Sequence, residues 1–283
     1  MTRVPTLLGV PYDAGSSYLR GAAGAPPAIR RALQSPSSNS WSEALRDLGA
    51  AGTLEDAGDL DLSGDDPRAA IEGGAREVLA RNGRPISLGG DHSITYPLLR
   101  AFRGIYGIYP RLTVLHIDAH ADLYEDFGGD RYSHACPFAR VMEEGLADRL
   151  VQVGIRTLNA HQRAQAERYG AEIIDMRAWV AGDRPEVSGP VYISLDLDAL
   201  DPAFAPGVSH WEPGGLTVRE AITVVQATGG WLVGADIVEY NPVRDPSGIT
   251  ASVAAKLVKE LASRMLEDPP ATITPPIPNE VRP

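Results

Sequence analysis

The chain has 283 residues, 43% of them hydrophobic, with one cysteine and a formal net charge of −11. That length suits one α/β domain spanning residues 1–283, and the negative charge disfavours nucleic acid or an anionic membrane as partner while suiting a cationic ligand. A lone cysteine excludes an intrachain disulfide, the longest apolar runs are strand-sized, and the first residues lack the apolar core of a secretory signal, so a cytoplasmic home is the default expectation.

In chain order, strand-like apolar runs alternate with amphipathic segments. A strand is predicted at 6–10, and the Ser- and Pro-rich stretch 35–40 reads as a surface loop. A helix follows at 67–81, then a strand at 85–88, a helix at 94–106 and a strand at 112–117. The second half predicts helices at 137–144, 160–169 and 217–228, and strands at 150–154, 172–174, 191–197 and 231–238. The last helix, 249–266, has Ala, Val and Leu at helical spacing, with Lys256, Lys259 and Arg264 on an outer face. The segment 268–283 is a proline-rich tail, extended or disordered, or packed on a neighbouring subunit. The alternation implies a mostly parallel sheet with helices on both faces.

Polar clusters fall where those strands end. Asp118-Ala119-His120-Ala121-Asp122 follows the strand 112–117 with acidic and imidazole side chains at alternate positions, which in an extended chain leave from one face. Asp196 and Asp198 end the strand 191–197, Gly89-Gly90-Asp91-His92-Ser93 follows 85–88, and Glu239 follows 231–238. The C-terminal ends of parallel strands are where open sheets bind ligands. Grouped carboxylates are costly to bury without counter-charge, which a divalent cation supplies. His92, Asp118, His120, Asp122, Asp196 and Asp198 form a hard donor set of imidazole and carboxylate. Structural zinc sites prefer thiolate, and magnesium seldom accepts imidazole. Manganese suits the mixture best, with iron, cobalt or nickel as substitutes. Four carboxylates exceed the needs of one cation but can bridge two.

These three signatures, Gly89-Gly90-Asp91-His92-Ser93, Asp118-Ala119-His120-Ala121-Asp122 and Ser194-Leu195-Asp196-Leu197-Asp198-Ala199-Leu200-Asp201-Pro202, resemble those of the ureohydrolase family of arginases and agmatinases, and the likeness runs from about Gly9 to Met265. The resemblance implies a three-layer α/β/α fold holding two Mn2+ ions. Asp118 and Asp196 would bridge them, His92 and Asp122 would complete one ion, and His120 and Asp198 the other. It implies attack by a metal-activated hydroxide on a guanidinium carbon, releasing urea and an amine. Glu239 would bind the guanidinium, and His134 would shuttle a proton to the leaving amine, a task its ordinary pKa of about 6.5 suits. Asp122 is counted with these catalytic groups.

The segment 123–134 lacks the Asn/Ser pattern of animal and Bacillus-type arginases and is similar to agmatinases and, more closely, plant-type arginases. The resemblance therefore implies L-arginine as substrate, with agmatine the alternative and other guanidino acids third. Asn159 and Asp126 are candidate substrate-binding residues, and a homo-oligomer, trimer or hexamer, is expected. Formimidoylglutamate and acyl-polyamine hydrolases on a similar scaffold, and a non-catalytic guanidine-binding protein, are the rival classes.

The other notable residues have plainer readings. Asp91 makes a turn or orients a bound histidine, and Asp201 makes a turn. His116 supports the site, His161 is solvated, and His210 stands at the pocket mouth. Arg131 is a surface residue within reach of a substrate carboxylate. Cys136 is not a nucleophile. Gly89-Gly90 carries no phosphate-binding pattern and reads as a tight turn.

Overall fold

The computed structural model describes residues 3–106 and 112–267; the proline-rich tail lies outside the described residues. Eight strands, β1 (Val4–Gly9), β2 (Glu55–Asp59), β3 (Gly83–Leu88), β4 (Thr113–Ile117), β5 (Arg149–Ile155), β6 (Glu172–Asp175), β7 (Pro190–Asp196) and β8 (Trp231–Val238), form one sheet in the order β2-β1-β3-β8-β7-β4-β5-β6. Every pairing is parallel. The predicted α/β/α layering is therefore present, and the sheet is wholly parallel.

Alternation along the strands sorts the core into two faces. Leu115, Ile117, Ile193, Leu195 and Ile237 pack with α1 (Ala25–Leu33), α7 (Val218–Ala227) and α8 (Ile249–Met265). Leu8, Val114, Tyr192 and Val233 point the other way, to α2 (Pro67–Ala80), α3 (Thr95–Tyr106), α4 (Pro137–Glu143) and α5 (Ala160–Tyr169). A short helix, α6 (Met176–Ala181), brings Trp179 to the first face.

β2, α1 and α6 are not anticipated by the apolar periodicity. All five β2 residues, Glu-Asp-Ala-Gly-Asp, are exposed, so the strand exists through backbone pairing with β1 and through Arg30 of α1, which clamps both Asp56 and Asp59. α1 opens on Pro26 and Pro27, residues a helix accepts only in its first turn. α6 is a single short run closed by Gly182 in the left-handed conformation. Among the described residues no helix is long and apolar enough to cross a membrane.

Candidate metal centre and active site

The four central neighbours β3, β8, β7 and β4 deliver the polar clusters to one end of the sheet. Beyond β3 the chain passes against the backbone of Tyr12. A Cβ on Gly90 would stand 1.6 Å from the Tyr12 carbonyl oxygen, so only glycine fits there. Asp91 then caps a 3-10 turn, His92–Ile94, by accepting the Ser93 N–H at 3.0 Å, and His92 is driven into the interior. At the end of β7, Asp196 accepts the Asp198 N–H at 2.7 Å and starts the 3-10 turn Leu197–Ala199.

The acidic residues converge by bending, not by the extended alternation expected from their spacing. β4 stops at Ile117, before Asp118; Asp122 has φ 50; and Asp198 lies on the turn beyond β7. A straight strand would hold like-facing side chains parallel, roughly 7 Å apart. A shared centre requires the backbone to curl. Asp122 and Glu239 (φ 62) are two of four non-glycine residues with positive φ among those described, the kind of strain that gathers at functional sites.

His92 Nδ1 lies 3.1 Å from Asp118 Oδ2, 3.1 Å from Asp122 Oδ2 and 3.2 Å from Asp196 Oδ2. Although these oxygens are close, none is aligned as a hydrogen-bond partner, and Nδ1 is a buried orphan. His120 Nδ1 lies 3.1 Å from Asp198 Oδ2 and 3.4 Å from Asp118 Oδ1. Two potential metal-binding groups therefore adjoin, and Asp118 belongs to both, one oxygen toward each. Asp196 faces His92 and contacts the second group through its bond to the Asp198 amide. A nitrogen lone pair ringed by three carboxylates and satisfied by none fits a divalent cation.

The electrostatics agree. Burial lifts Asp196 well above the carboxylate range, with Asp198 and Asp118 adding to it, and lifts Asp198 to about 6. Burial would lower His92 and His120, yet the surrounding carboxylates outweigh it and raise both. Protons take the place that cations would hold.

Beneath this centre a row of buried polar residues crosses the sheet. Register places Gln152 of β5 beside His116 of β4, His116 beside Ser194 of β7, Ser194 beside Asp236 of β8, and Asp236 beside Ser87 of β3. Asp236 accepts from Ser194 Oγ at 2.7 Å, Tyr192 at 2.8 Å and Thr95 at 3.0 Å. With the Ser194 hydroxyl proton so used, its oxygen accepts from His92 Nε2 at 2.9 Å, which leaves Nδ1 as the lone pair facing the carboxylates. On the other side Gln152 donates to His116 Nδ1 at 2.8 Å, so His116 donates from Nε2 to Asp118 Oδ2 at 2.7 Å. Burial holds the His116 pKa down, in keeping with a neutral ring. This row is absent from the sequence reading except for His116. Its visible signals are Asp236 and Gln152, polar residues inside otherwise apolar buried runs.

Above the centre opens a cleft of about 230 Å³, lined by His120, Asp122, Asp196, Asp198, His134 and Glu239 among others. His134 Nδ1 meets Glu239 Oε1 at 2.8 Å, and the same oxygen accepts the His92 N–H at 3.0 Å. Burial would lower His134, but Glu239 raises it to about 9. Burial would likewise raise Glu239, and His134 lowers it. Asp126 caps a turn by accepting the Gly129 N–H at 3.2 Å. Asn159 caps α5 and bonds Tyr124 Oη at 2.5 Å, one residue back from the cleft wall that Tyr124 forms. Arg131 pairs with Glu143 at 2.9 Å on the surface. His210 lines the cleft, His161 stacks on Tyr124, and Asp201 caps turns at Ala203 and Gly214. The Cys136 thiol is buried and pushed up to about 12, chiefly by burial, which leaves it inert.

Residues outside the motifs complete the site. Ser17, Tyr124, Phe127, Gln162 and Glu212 also line the cleft. Among the described residues Arg156 pairs with carbonyls and not with a carboxylate. It donates to the carbonyls of Gly154 (3.2 Å), Ala199 (3.2 Å), Asp198 (2.7 Å) and Glu212 (2.9 Å), tying three loops together. Its backbone acceptors come from distant segments, so no spacing announces them.

A wholly parallel sheet gathers two imidazoles and four carboxylates at one end of its central strands, a donor set that could hold metal ions. The profile of the Arginase family matches residues 5–263. The mitochondrial arginase of Medicago truncatula is 46% identical over 278 residues, covering 92% of this chain and 81% of that protein. The Arabidopsis thaliana arginase 2, chloroplastic/mitochondrial, is 44% identical over 277 residues, covering 92% and 80%. The solved structure of the Medicago truncatula arginase superposes with a TM-score of 0.89 at 45% identity, covering 93% of this chain and 88% of that one. The chain belongs to the arginase family, ureohydrolases acting on guanidino C–N bonds. The family implies a binuclear metal site, and the buried His/Asp groups are of that kind. The expectation of a cytoplasmic home is corrected: the plant relatives are named for mitochondria and chloroplasts. A single cysteine cannot form an intrachain disulfide in any compartment, so it does not separate cytoplasm from organelle.

Proposed function

We propose that this protein hydrolyses L-arginine to L-ornithine and urea at two manganese ions. His92, Asp118, Asp122 and Asp196 would hold one ion, and His120, Asp198, Asp118 and Asp196 the other. The observation that carries the reading is the orphaned His92 Nδ1 among three carboxylates, adjoined through Asp118 to a second such group. Bound, the ions supply counter-charge to the carboxylates and acidify a water at the guanidinium carbon.

The chain's own residues bind and protonate. Both hydrogen bonds to Glu239 fall on Oε1, which leaves Oε2 for the paired N–H groups of a planar guanidinium. His134, held against Glu239 in the same cleft, would give the leaving nitrogen its proton. Asn159 and Asp126 would act on the substrate's far end, Asn159 through Tyr124. Agmatine is the second reading, favoured by one observation: among the described residues neither Lys nor Arg lines the cleft to meet a substrate carboxylate. A trimer or hexamer forms part of the same proposal and is checked by light scattering on the eluting protein.

The test is urea release by manganese-loaded protein with L-arginine, agmatine, 4-guanidinobutyrate and 3-guanidinopropionate in parallel. L-arginine should be the preferred substrate, and Asp196→Ala should lower its turnover more than about a hundredfold. Turnover of agmatine alone would replace the substrate. No urea from any of the four, with two ions bound, would overturn the reaction.

A further inference from the structure

The outer nitrogen of His134 has a partner that the ureohydrolase signatures do not include. Ser17 directs its backbone N–H (3.2 Å) and its hydroxyl (2.8 Å) at His134 Nε2. Ser17 is itself exposed and lines the cleft, so its hydroxyl touches solvent on one side and the buried imidazole on the other.

The loop that carries Ser17 is built against His134. The His134 N–H donates to the Gly15 carbonyl at 3.0 Å, and Ser133 Oγ donates to the same oxygen at 3.3 Å. Ser16 Oγ reaches Asp91 Oδ2 at 3.3 Å, and the Asp13 carboxylate accepts the Gly21 N–H at 2.7 Å and the Ala23 N–H at 3.2 Å. Gly15 has no room for a side chain, since a Cβ there would lie 2.7 Å from Ser93 Oγ.

The chemistry of the two Ser17 groups differs. With a neutral ring, Nδ1–H donates to Glu239 and the Nε2 lone pair accepts from Ser17. Once His134 is protonated, Nε2 becomes a donor. A backbone N–H cannot accept, but a hydroxyl oxygen can. Only the Ser17 hydroxyl serves both charge states. The charged and titratable groups facing His134 are Glu239 after β8, Asp122 after β4, Asp91 after β3 and His210, whose ring centroid lies 5.3 Å away. Glu239 takes Nδ1, which leaves Nε2 to Ser17.

We propose that Ser17 is a positioning residue for the proton shuttle: its hydroxyl holds the His134 ring through both charge states and passes protons between cleft water and Nε2. In the inward step a hydronium ion or buffer acid in the cleft protonates the Ser17 oxygen while the original Ser17 proton moves to Nε2, leaving water or the buffer's conjugate base behind. The hydroxyl is unchanged, the ring becomes imidazolium, and Glu239 is its counter-ion. The inference rests on the proposed guanidine hydrolysis.

The experiment compares Ser17→Ala and Ser17→Thr in the full-length, manganese-loaded protein by urea release across pH. It adds side-chain 15N NMR of His134 in the metal-free protein, assigned with His134→Asn. Ser17→Ala should lower kcat about tenfold with KM within about twofold, flatten or shift the pH limb set by His134, and move the Nε2 resonance. Ser17→Thr should restore kcat and the resonance. An active wild type with unchanged kcat and pH profile in Ser17→Ala overturns the relay alone, as does a loss of kcat that Ser17→Thr fails to restore. A wild type that releases no urea overturns the hydrolase reading and the relay with it.

Discussion

Glu239 serves three partners with two oxygens: the His92 amide, the His134 ring and, in the proposed reaction, a guanidinium. The first two share one oxygen, and the backbone at Glu239 is left-handed, with φ 62. Its pairing with His134 has a pH signature in metal-free protein. The folded-state pKa of His134 is raised from 6.5 to about 9, so this group's stabilisation is fully present below pH 6.5 and is lost as pH rises through 9. Glu239 is lowered, so its share is present above its ordinary value of 4.5 and is lost as pH falls below it. The gap in unfolding temperature between the wild type and His134→Asn should be widest near pH 6 and close by about pH 10. A gap that does not vary with pH would show that the pair contributes nothing to folding.

At the scale of the element, the site depends on how loops leave the strands. Arg156 links the loops after β5 and β7 to the one carrying Glu212. A guanidinium offers five N–H donors in a fixed fork, an ammonium three on a flexible stem. Arg156→Lys should therefore free the Asp198 turn and lower turnover by about tenfold or more, with excess manganese recovering only part of it. Equal activity in Arg156→Lys would mean the loops hold themselves. The loop that carries His92 is equally exacting at Gly90, where a methyl group would overlap the Tyr12 carbonyl. Gly90→Ala should cost about 3 kcal/mol in chemical denaturation. The elements legible in advance are those with apolar faces, such as β4, β7 and α8. β2 has no buried residue and α6 is too short for a period, so neither leaves a hydrophobic pattern to read.

Across the whole molecule, the centre stores repulsion that cations would relieve. Four buried carboxylates meet at the ends of adjacent strands, with burial driving Asp196 and Asp198 toward protonation. Manganese added to metal-free protein should raise the unfolding temperature to a plateau at two ions per chain. Each site would add about 2.7 kcal/mol at a hundredfold excess over its Kd, and a chelator should reverse the gain. Asp118→Asn should weaken both sites because Asp118 has one oxygen in each, whereas Asp198→Asn should spare the His92 site. A stoichiometry of one ion would sink the two-metal reading.

The sequence by itself determined the parallel α/β alternation, the ends of the strands that carry polar groups, and the candidate donor set His92, Asp118, His120, Asp122, Asp196 and Asp198. Each of these is a local pattern: an apolar run, its length, and the polar residues that follow it. Only the tertiary structure decided that β3, β8, β7 and β4 are neighbours, and hence that the four clusters meet. It also decided the register that aligns Gln152, His116, Ser194, Asp236 and Ser87 into one buried row. Ser17 and Arg156 are likewise invisible from spacing, for their partners lie 117 residues away at His134 and as far as 56 residues away at Glu212. Contacts of that kind come from strand order and loop curl, which no short-range periodicity encodes.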